Sequence, residues 1–368
     1  MPPITLLIKP ASSLCNMRCH YCFYADVSAH RTVPSYGIMS EATLETLVQK
    51  ALAFAEGQCT FAFQGGEPTL AGLDFFERTV SLQKQYNTRK IPIHNAIQTN
   101  GLVIDEAWAR FLAENRFLVG LSLDGDAAIH NDQRPDSGGK GTYARVVHAA
   151  DLLKKHGCEY NILCVVTAGT ARRGARVYNH LKRHQYLQFI ACLEGFGVAG
   201  ERMPLTAAQY GQFLMTTFDL YYHDFMRGQY VSVRTFDNYI QLLLGNPPEN
   251  CAMRGQCSCN LVVEGDGSVY PCDFFVLDTW RLGTVHENEL PEMLMGETAR
   301  RFVKTSLDVD EKCRACRWGA LCRGGCRRDR VLTPDGAMGH NRFCAAYEAF
   351  FAYSYERMCE IAARVRRG

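Results

Sequence analysis

The chain has no apolar run approaching the roughly 18 residues that a membrane-crossing helix needs. Its opening stretch, Met1–Lys9, is too short and wrongly flanked for a secretory leader. Together these absences make a cytoplasmic protein with no membrane partner the expectation. An excess of one charge is missing as well: 40 Lys and Arg stand against 38 Asp and Glu, so no global field draws the chain to nucleic acid or a lipid surface. Internal repeats and low-complexity tracts are absent. Disorder is excluded because 47% of the 368 residues are hydrophobic and only 21% charged, enough apolar surface for a full-sized core. What the chain has in unusual number is cysteine. Seventeen cysteines without an export signal belong in a reducing compartment, where clustered thiols more often hold metal than form disulfides.

Their placement is uneven. Cys15, Cys19 and Cys22 form one group, and nine more run from Cys251 to Cys344. Cys59, Cys158, Cys164 and Cys192 are scattered, mostly in apolar, strand-like surroundings where an unligated cysteine packs as a small hydrophobe. These four and Cys359 are read as structural. Between the dense regions, β-rich runs at Ile4–Ile8, Thr60–Phe63, Ile93–Ile97, Leu118–Leu121, Tyr160–Val166 and Leu187–Cys192 alternate with helical patterns. The helices are expected over Ser40–Ala55, Leu73–Tyr86, Asp105–Glu114, Tyr143–His156 and Ala171–Arg183. Such alternation, six β-then-α units in all, predicts an α/β fold with a parallel sheet and helices packed outside it. The pattern turns helical from Pro204 to Leu244, and the Pro/Gly break Gly245–Glu249 precedes the cysteine-rich module. The expected division is 1–203 for the α/β unit, 204–249 for a helical connector, and 250–368 for the module with a C-terminal helix. Inside the module, Asn260–Glu264 and Ser268–Cys272 flank Gly265-Asp266-Gly267 and read as a β-hairpin.

Each early strand runs straight into a polar or glycine-rich segment: the cysteine loop, Gln64-Gly65-Gly66-Glu67-Pro68, Gln98-Thr99-Asn100-Gly101, and Ser122-Leu123-Asp124-Gly125. Parallel sheets bind ligands at the C-terminal ends of their strands, so these motifs converge on one face. Three thiolates within eight residues cannot complete a zinc shell or a four-cysteine cluster, so one iron of a [4Fe–4S] cube would lack a protein ligand. Zinc with a fourth ligand such as His20 is the plainer alternative. The spacing Cys15-x3-Cys19-x2-Cys22, with Tyr21 before the last cysteine, resembles the radical S-adenosylmethionine (SAM) superfamily. That resemblance implies that SAM chelates the open iron and that one electron cleaves it to methionine and a 5′-deoxyadenosyl radical; the protein positions and shields this chemistry.

The same resemblance assigns the SAM contacts. Gly65 and Gly66 admit close backbone approach, and Glu67 can accept from the SAM ammonium. Ser122 and Asp124 are expected at the ribose hydroxyls, and Arg134 at the carboxylate. Gly195-Phe-Gly197-Val-Ala-Gly200 formally fits a dinucleotide fingerprint, but no helix opens on its glycines before Pro204 and no acid ends a following strand. It is read as a flexible loop beside the adenine through Leu193.

Downstream, Cys257-x9-Gly267-x4-Cys272, then Cys313-x2-Cys316-x5-Cys322-x3-Cys326 and finally Cys344 offer seven thiolates, and Cys251 makes eight. Eight can ligate two [4Fe–4S] cubes, while paired cysteines at short spacing also make zinc ribbons. This order resembles the SPASM extension of peptide-modifying radical SAM enzymes. Carried over, it implies that Cys251, Cys257, Cys272 and Cys326 hold the nearer auxiliary cluster and Cys313, Cys316, Cys322 and Cys344 the outer one. Cys259 is left unligated. Arg323, Arg327, Arg328 and Arg330 interleave with the outer-cluster cysteines and could balance that cluster's negative charge or meet an acidic partner; ordinary solvated charge is the reading adopted.

With both halves in hand, the chain resembles the anaerobic sulfatase-maturating enzymes. The shared stretches include Cys22-Phe-Tyr24, Phe61-Ala-Phe-Gln-Gly-Gly-Glu-Pro-Thr-Leu-Ala-Gly72, Gln98-Thr-Asn-Gly101, Asn161–Thr167, Tyr270-Pro-Cys-Asp-Phe274 and Trp280–Gly283. The resemblance implies a partial (β/α)6 TIM-like barrel with a C-terminal SPASM domain, and three [4Fe–4S] clusters plus SAM. The implied activity is oxidation of a cysteine or serine side chain on an unfolded or nascent sulfatase polypeptide to Cα-formylglycine. Its target motif would be Cys/Ser-x-Pro/Ala-x-Arg, and a flavodoxin- or ferredoxin-type protein would donate electrons. Once the radical has taken a Cβ hydrogen, the target must lose one electron and one proton. The family assigns the proton to Asp273, since an Asp carboxylate accepts a proton once within hydrogen-bond reach, and the electron to the auxiliary clusters. Tyr24 and Gln64, at the mouth of the strand-end face, are candidate substrate contacts. A thioether-forming peptide maturase would share all three clusters and differ in product. Anaerobic metal analysis tests the cluster reading: about twelve irons with matching sulfide per chain are expected, and stoichiometric zinc without sulfide would sink it.

Overall fold

A computed structural model of the chain describes residues 3–196, 205–332 and 338–367. Strands β1 (Ile4–Ile8), β2 (Cys59–Phe63), β3 (Ile93–Thr99), β4 (Phe117–Ser122), β5 (Tyr160–Val166) and β6 (Tyr186–Ala191) lie side by side in chain order, each parallel to the next. One face of these strands is apolar and buried, through Leu6, Ile8, Phe61, Phe63, Ile97, Val119, Leu121 and Ile162, while alternate positions such as Thr5, His94 and Leu118 are exposed. The expected helices form between them, with two starts displaced by a residue for one reason. Ser40 and Asp105 are caps rather than first turns, their side chains accepting from Thr43 N and Trp108 N. The expected helix at Ala171–Arg183 shortens to Gly174–Leu181 behind a separate turn at Ala168–Ala171.

The sheet does not close on itself. Beyond β6 it continues into β7 (Ser232–Val233), a short strand inside the stretch read as wholly helical, flanked by helices Ala207–Met226 and Arg234–Leu243. Beyond β1 it continues into the C-terminal module: β8 (Leu261–Val263) pairs parallel with β1, then β9 (Ser268–Tyr270) and β10 (Gly283–Thr284) follow antiparallel. This is a partial (β/α)6 barrel whose sheet the module's hairpin extends. Gly197–Gly200 of the glycine-rich loop, and the expected boundary at 203/204, lie outside the described residues. Among the described residues, no helix is long and apolar enough to cross a membrane.

Two contacts weld the module to the barrel. Val27, Val262, Tyr270 and Val276 form a small apolar cluster with Leu7, Phe23 and Phe196 packed against it. Beside it Arg31, just past helix Phe23–Ala29, pairs with Glu264 at 2.5 Å, both side chains 2% exposed. Removing one partner of such a pair leaves an uncompensated buried charge, a cost of about 3–5 kcal/mol. Arg31→Met is therefore expected to lower unfolding free energy in urea by that amount, and Arg31→Met with Glu264→Met to recover a large part of it. A single substitution costing under about 1 kcal/mol would show that the pair does not anchor the module.

Candidate active site

The cysteine loop leaves β1 at Lys9 and returns as helix Phe23–Ala29, whose N-cap is Cys22. It is pressed onto the loop after β2. Glu67 N donates to Leu14 O at 2.7 Å, and a Cβ on Gly66 would stand 2.3 Å from that same carbonyl. A Cβ on Gly65 would meet Lys9 Cγ at 2.7 Å. Both glycines have positive φ, but what their missing side chains admit is the protein's own cysteine loop and Lys9. Glu67 is fully buried and spans β2 to β3, accepting from Thr69 N (3.1 Å), Thr69 Oγ1 (2.7 Å), Thr99 Oγ1 (2.7 Å) and Asn100 N (2.7 Å). Burial pushes its carboxyl up and these hydrogen bonds pull it back.

Asn100 carries the support on to the thiols, its Nδ2 donating to Asn16 Oδ1 at 2.7 Å and lying 3.8 Å from Cys15 Sγ. Burial pushes the Cys15 thiol up to about 12, with the charges of Glu67, Cys19 and Cys22 adding to it against a hydrogen bond from Met17 N. Three thiols that repel one another as anions in one half-buried loop suit a cationic iron core, which relieves the repulsion. From the other side, Tyr21 donates its hydroxyl to Asp124, and Arg134 reaches the same carboxylate at 2.8 Å and 3.3 Å. Asp124 also accepts from Val165 N at 2.9 Å. Its oxygens are thus engaged by protein donors, which makes it an organiser that ties the ends of β4 and β5 to the cysteine loop. Ser122 is buried at the end of β4, and Leu193 is half-buried just beyond β6.

Asp273 opens the turn Asp273–Phe275 that follows β9, and Phe274 meets Phe23 edge-on with ring centres 4.9 Å apart. Its Oδ2 accepts from Tyr24 Oη at 2.7 Å and Gln64 Nε2 at 2.9 Å, and Gln64 Nε2 also lies 2.5 Å from Tyr24 Oη. Oδ1 faces Lys9 Nζ at 2.9 Å without an aligned hydrogen bond. Lys9 is 2% exposed and its ammonium stands 4.1 Å from the centre of the Tyr24 ring. A lysine directly after the largely apolar strand Ile4–Ile8 is the sequence signal for Lys9, since a buried ammonium needs a negative partner.

The downstream thiols sort into two sets by their electrostatic neighbours. Burial, then Cys326, Asp273 and Cys251, push Cys272 up; burial leads for Cys326 as well, pushed up to about 12, with Cys251 and Cys257 contributing. Cys322 is pushed up to about 11 by burial, then by Cys344, Cys313 and Cys316. These last four line a cavity of about 390 Å³ together with Arg254, Lys312 and Arg330. Cys259 is shifted by burial alone. Among the described residues, no three His, Cys, Asp or Glu side chains close on a single metal ion. Of the interleaved arginines, Arg323 is exposed as expected, whereas Arg327 is 8% exposed and Arg328 reaches across to the loop after β6, as does Arg342 from further along the chain. Arg342 donates to Cys192 O at 2.5 Å and Glu194 Oε1 at 2.9 Å, and Arg328 to Glu194 O at 2.6 Å.

Comparison with known proteins places this geometry. Residues 10–170 match the radical SAM superfamily, and residues 251–317 match an iron–sulfur cluster-binding domain. The chain is 48% identical to a cysteine-type anaerobic sulfatase-maturating enzyme of Clostridium perfringens, with 100% of both chains covered. A serine-type enzyme of Bacteroides thetaiotaomicron is 30% identical over 95% of this chain and 89% of its own. Among solved structures, native anSMEcpe with bound AdoMet and Cp18Cys peptide superposes with a TM-score of 0.94 at 47% identity, covering 99% of this chain and 100% of that one. Identity at this level along the whole length means that the chain belongs to the anaerobic sulfatase-maturating enzymes, which are radical SAM enzymes.

Proposed function

We propose that this chain oxidises a cysteine side chain of an unfolded or nascent sulfatase polypeptide, within a Cys-x-Pro-x-Arg motif, to Cα-formylglycine. Cysteine rather than serine is favoured because identity to the cysteine-type relative, 48%, exceeds that to the serine-type one, 30%. Cys15, Cys19 and Cys22 would hold one [4Fe–4S] cluster with SAM, and the two downstream sets one cluster each. When bound, the first supplies hydrogen-atom abstraction from the target Cβ and the others one-electron acceptance.

The observation that carries the reading is the setting of Asp273. The carboxylate follows Cys272 in the chain and is bonded to Tyr24, which feels the charge of Cys22. Proton acceptor, first thiol set and nearer downstream set thus meet within one buried group. The Asp273 carboxylate takes the target's thiol proton, with Oδ2 held by Tyr24 and Gln64 and Oδ1 facing Lys9 Nζ. Lys9 holds the carboxylate in place and compensates its charge until the proton arrives. Loss of the Cβ hydrogen atom, the thiol proton and one electron leaves a thioaldehyde, and water converts that to the aldehyde with release of hydrogen sulfide. In this account Tyr24 and Gln64 act on the substrate through the base they orient. A flavodoxin- or ferredoxin-type donor would supply the reducing electron.

Reduced, reconstituted protein incubated with SAM and a Cys-x-Pro-x-Arg peptide is expected to yield 5′-deoxyadenosine and a peptide with the mass of the aldehyde. SAM cleavage without the aldehyde would reject maturase activity. Asp273→Asn is expected to retain all iron and still cleave SAM, while formylglycine falls by roughly 100-fold or more, the range of a lost general base. An undiminished yield would remove Asp273 from the chemistry.

A further inference from the structure

Three arginines are buried among the described residues: Arg31, Arg134 and Arg327. Arg31 faces Glu264 and Arg134 faces Asp124. Arg327 has no carboxylate partner among the described residues; the neighbouring Asp329 pairs with Arg342 instead. Its guanidinium carbon lies 4.9 Å from the ring centres of Phe275 and Trp280 and 4.8 Å from that of Phe302. One NH1 hydrogen bond runs to Phe302 O at 3.1 Å, and Nε has no partner. Cation–π contacts and one carbonyl do not replace a counter-ion for a charge removed from water. Arg327 directly follows Cys326, which caps its turn, and Phe275 of its aromatic cage closes the turn that Cys272 caps; thiolates at Cys257, Cys272 and Cys326 favour its charge. These are three of the four residues read as holding the nearer auxiliary cluster.

We propose that Arg327 is the built-in counter-charge of the iron–sulfur group held by Cys251, Cys257, Cys272 and Cys326, and that it raises that group's reduction potential. The proposal rests on the iron–sulfur reading of that set. A cube bearing four thiolates is anionic and becomes one unit more negative on reduction. A fixed positive charge stabilises the reduced form more than the oxidised one, and in a site shielded from solvent the effect is little screened. The aromatic cage supplies that shielding. It also shares the turn Asp273–Phe275 with the proposed proton acceptor, so one short segment would place the proton's destination and tune the electron's.

The test is potentiometric titration of reconstituted full-length protein followed by electron paramagnetic resonance, on the unsubstituted chain, Arg327→Met and Arg327→Lys. Arg327→Met should move one auxiliary midpoint to more negative potential by about tenfold in the reduction equilibrium, about 59 mV for one electron, and leave the others in place. Arg327→Lys should retain most of the original value. An unmoved midpoint at full iron content, or the same displacement in both variants, overturns the proposal. If Arg327→Met assembles without the nearer cluster, iron content decides: retention in Arg327→Lys supports the counter-charge, and loss in both assigns Arg327 to packing and overturns it. Absence of any auxiliary signal in the unsubstituted protein is a separate failure, that of the iron–sulfur reading itself.

Discussion

Lys9 ends β1 with its amide donating to Val263 O at 2.8 Å and its ammonium 2.9 Å from Asp273 Oδ1. Through these two contacts the first strand of the barrel grips both the hairpin and the turn that follows it. The backbone bond continues the barrel's sheet into the C-terminal module, and the ion pair draws that module's turn against the cysteine loop. At this burial each charge offsets the desolvation cost of the other, which for a lone buried ion is several kcal/mol. The ammonium also occupies the space opened by Gly65 and lies against the Tyr24 ring, so the ion pair sets the packing of three loops at once.

Around this joint, buried charge is handled pair by pair. Asp124 with Arg134, Glu264 with Arg31 and Asp273 with Lys9 each tie a barrel element to a neighbour. Arg328 and Arg342 do similar work from the far side. By gripping the carbonyls of Cys192 and Glu194, they hold the segment carrying Leu193 against the module. A rigid frame of this kind suits a reaction in which a reactive radical must meet a single carbon and a single base, since small misplacement is costly in rate. Arg327 departs from the pattern, lacking a carboxylate where its neighbours have one.

Much of this was legible beforehand. The parallel strands showed as apolar runs, and the cysteine spacings told the two regions apart. Asp273 was singled out by the family resemblance, within the shared stretch Tyr270-Pro-Cys-Asp-Phe274. The short β7 was hidden because its two residues carry no periodic signal of their own. The burial of Lys9, Arg327 and Arg342 is hidden for a different reason. A charged residue in a sequence reads as solvated until its partner is known, and each of these has its partners far off in the chain.

Strand patterning and ligand spacing are local properties, so the amino-acid order already carried the parallel α/β core, the first cysteine trio and a cysteine-rich module downstream. Which charges are buried, that Glu67, Asp124 and the two glycines pack against the cysteine loop, and that Lys9 meets Asp273 came from the tertiary fold alone. The parallel order of β1 to β5 brings the first group together, and β8 pairing with β1 across most of the chain's length brings Lys9 to Asp273, long-range choices that no local pattern encodes.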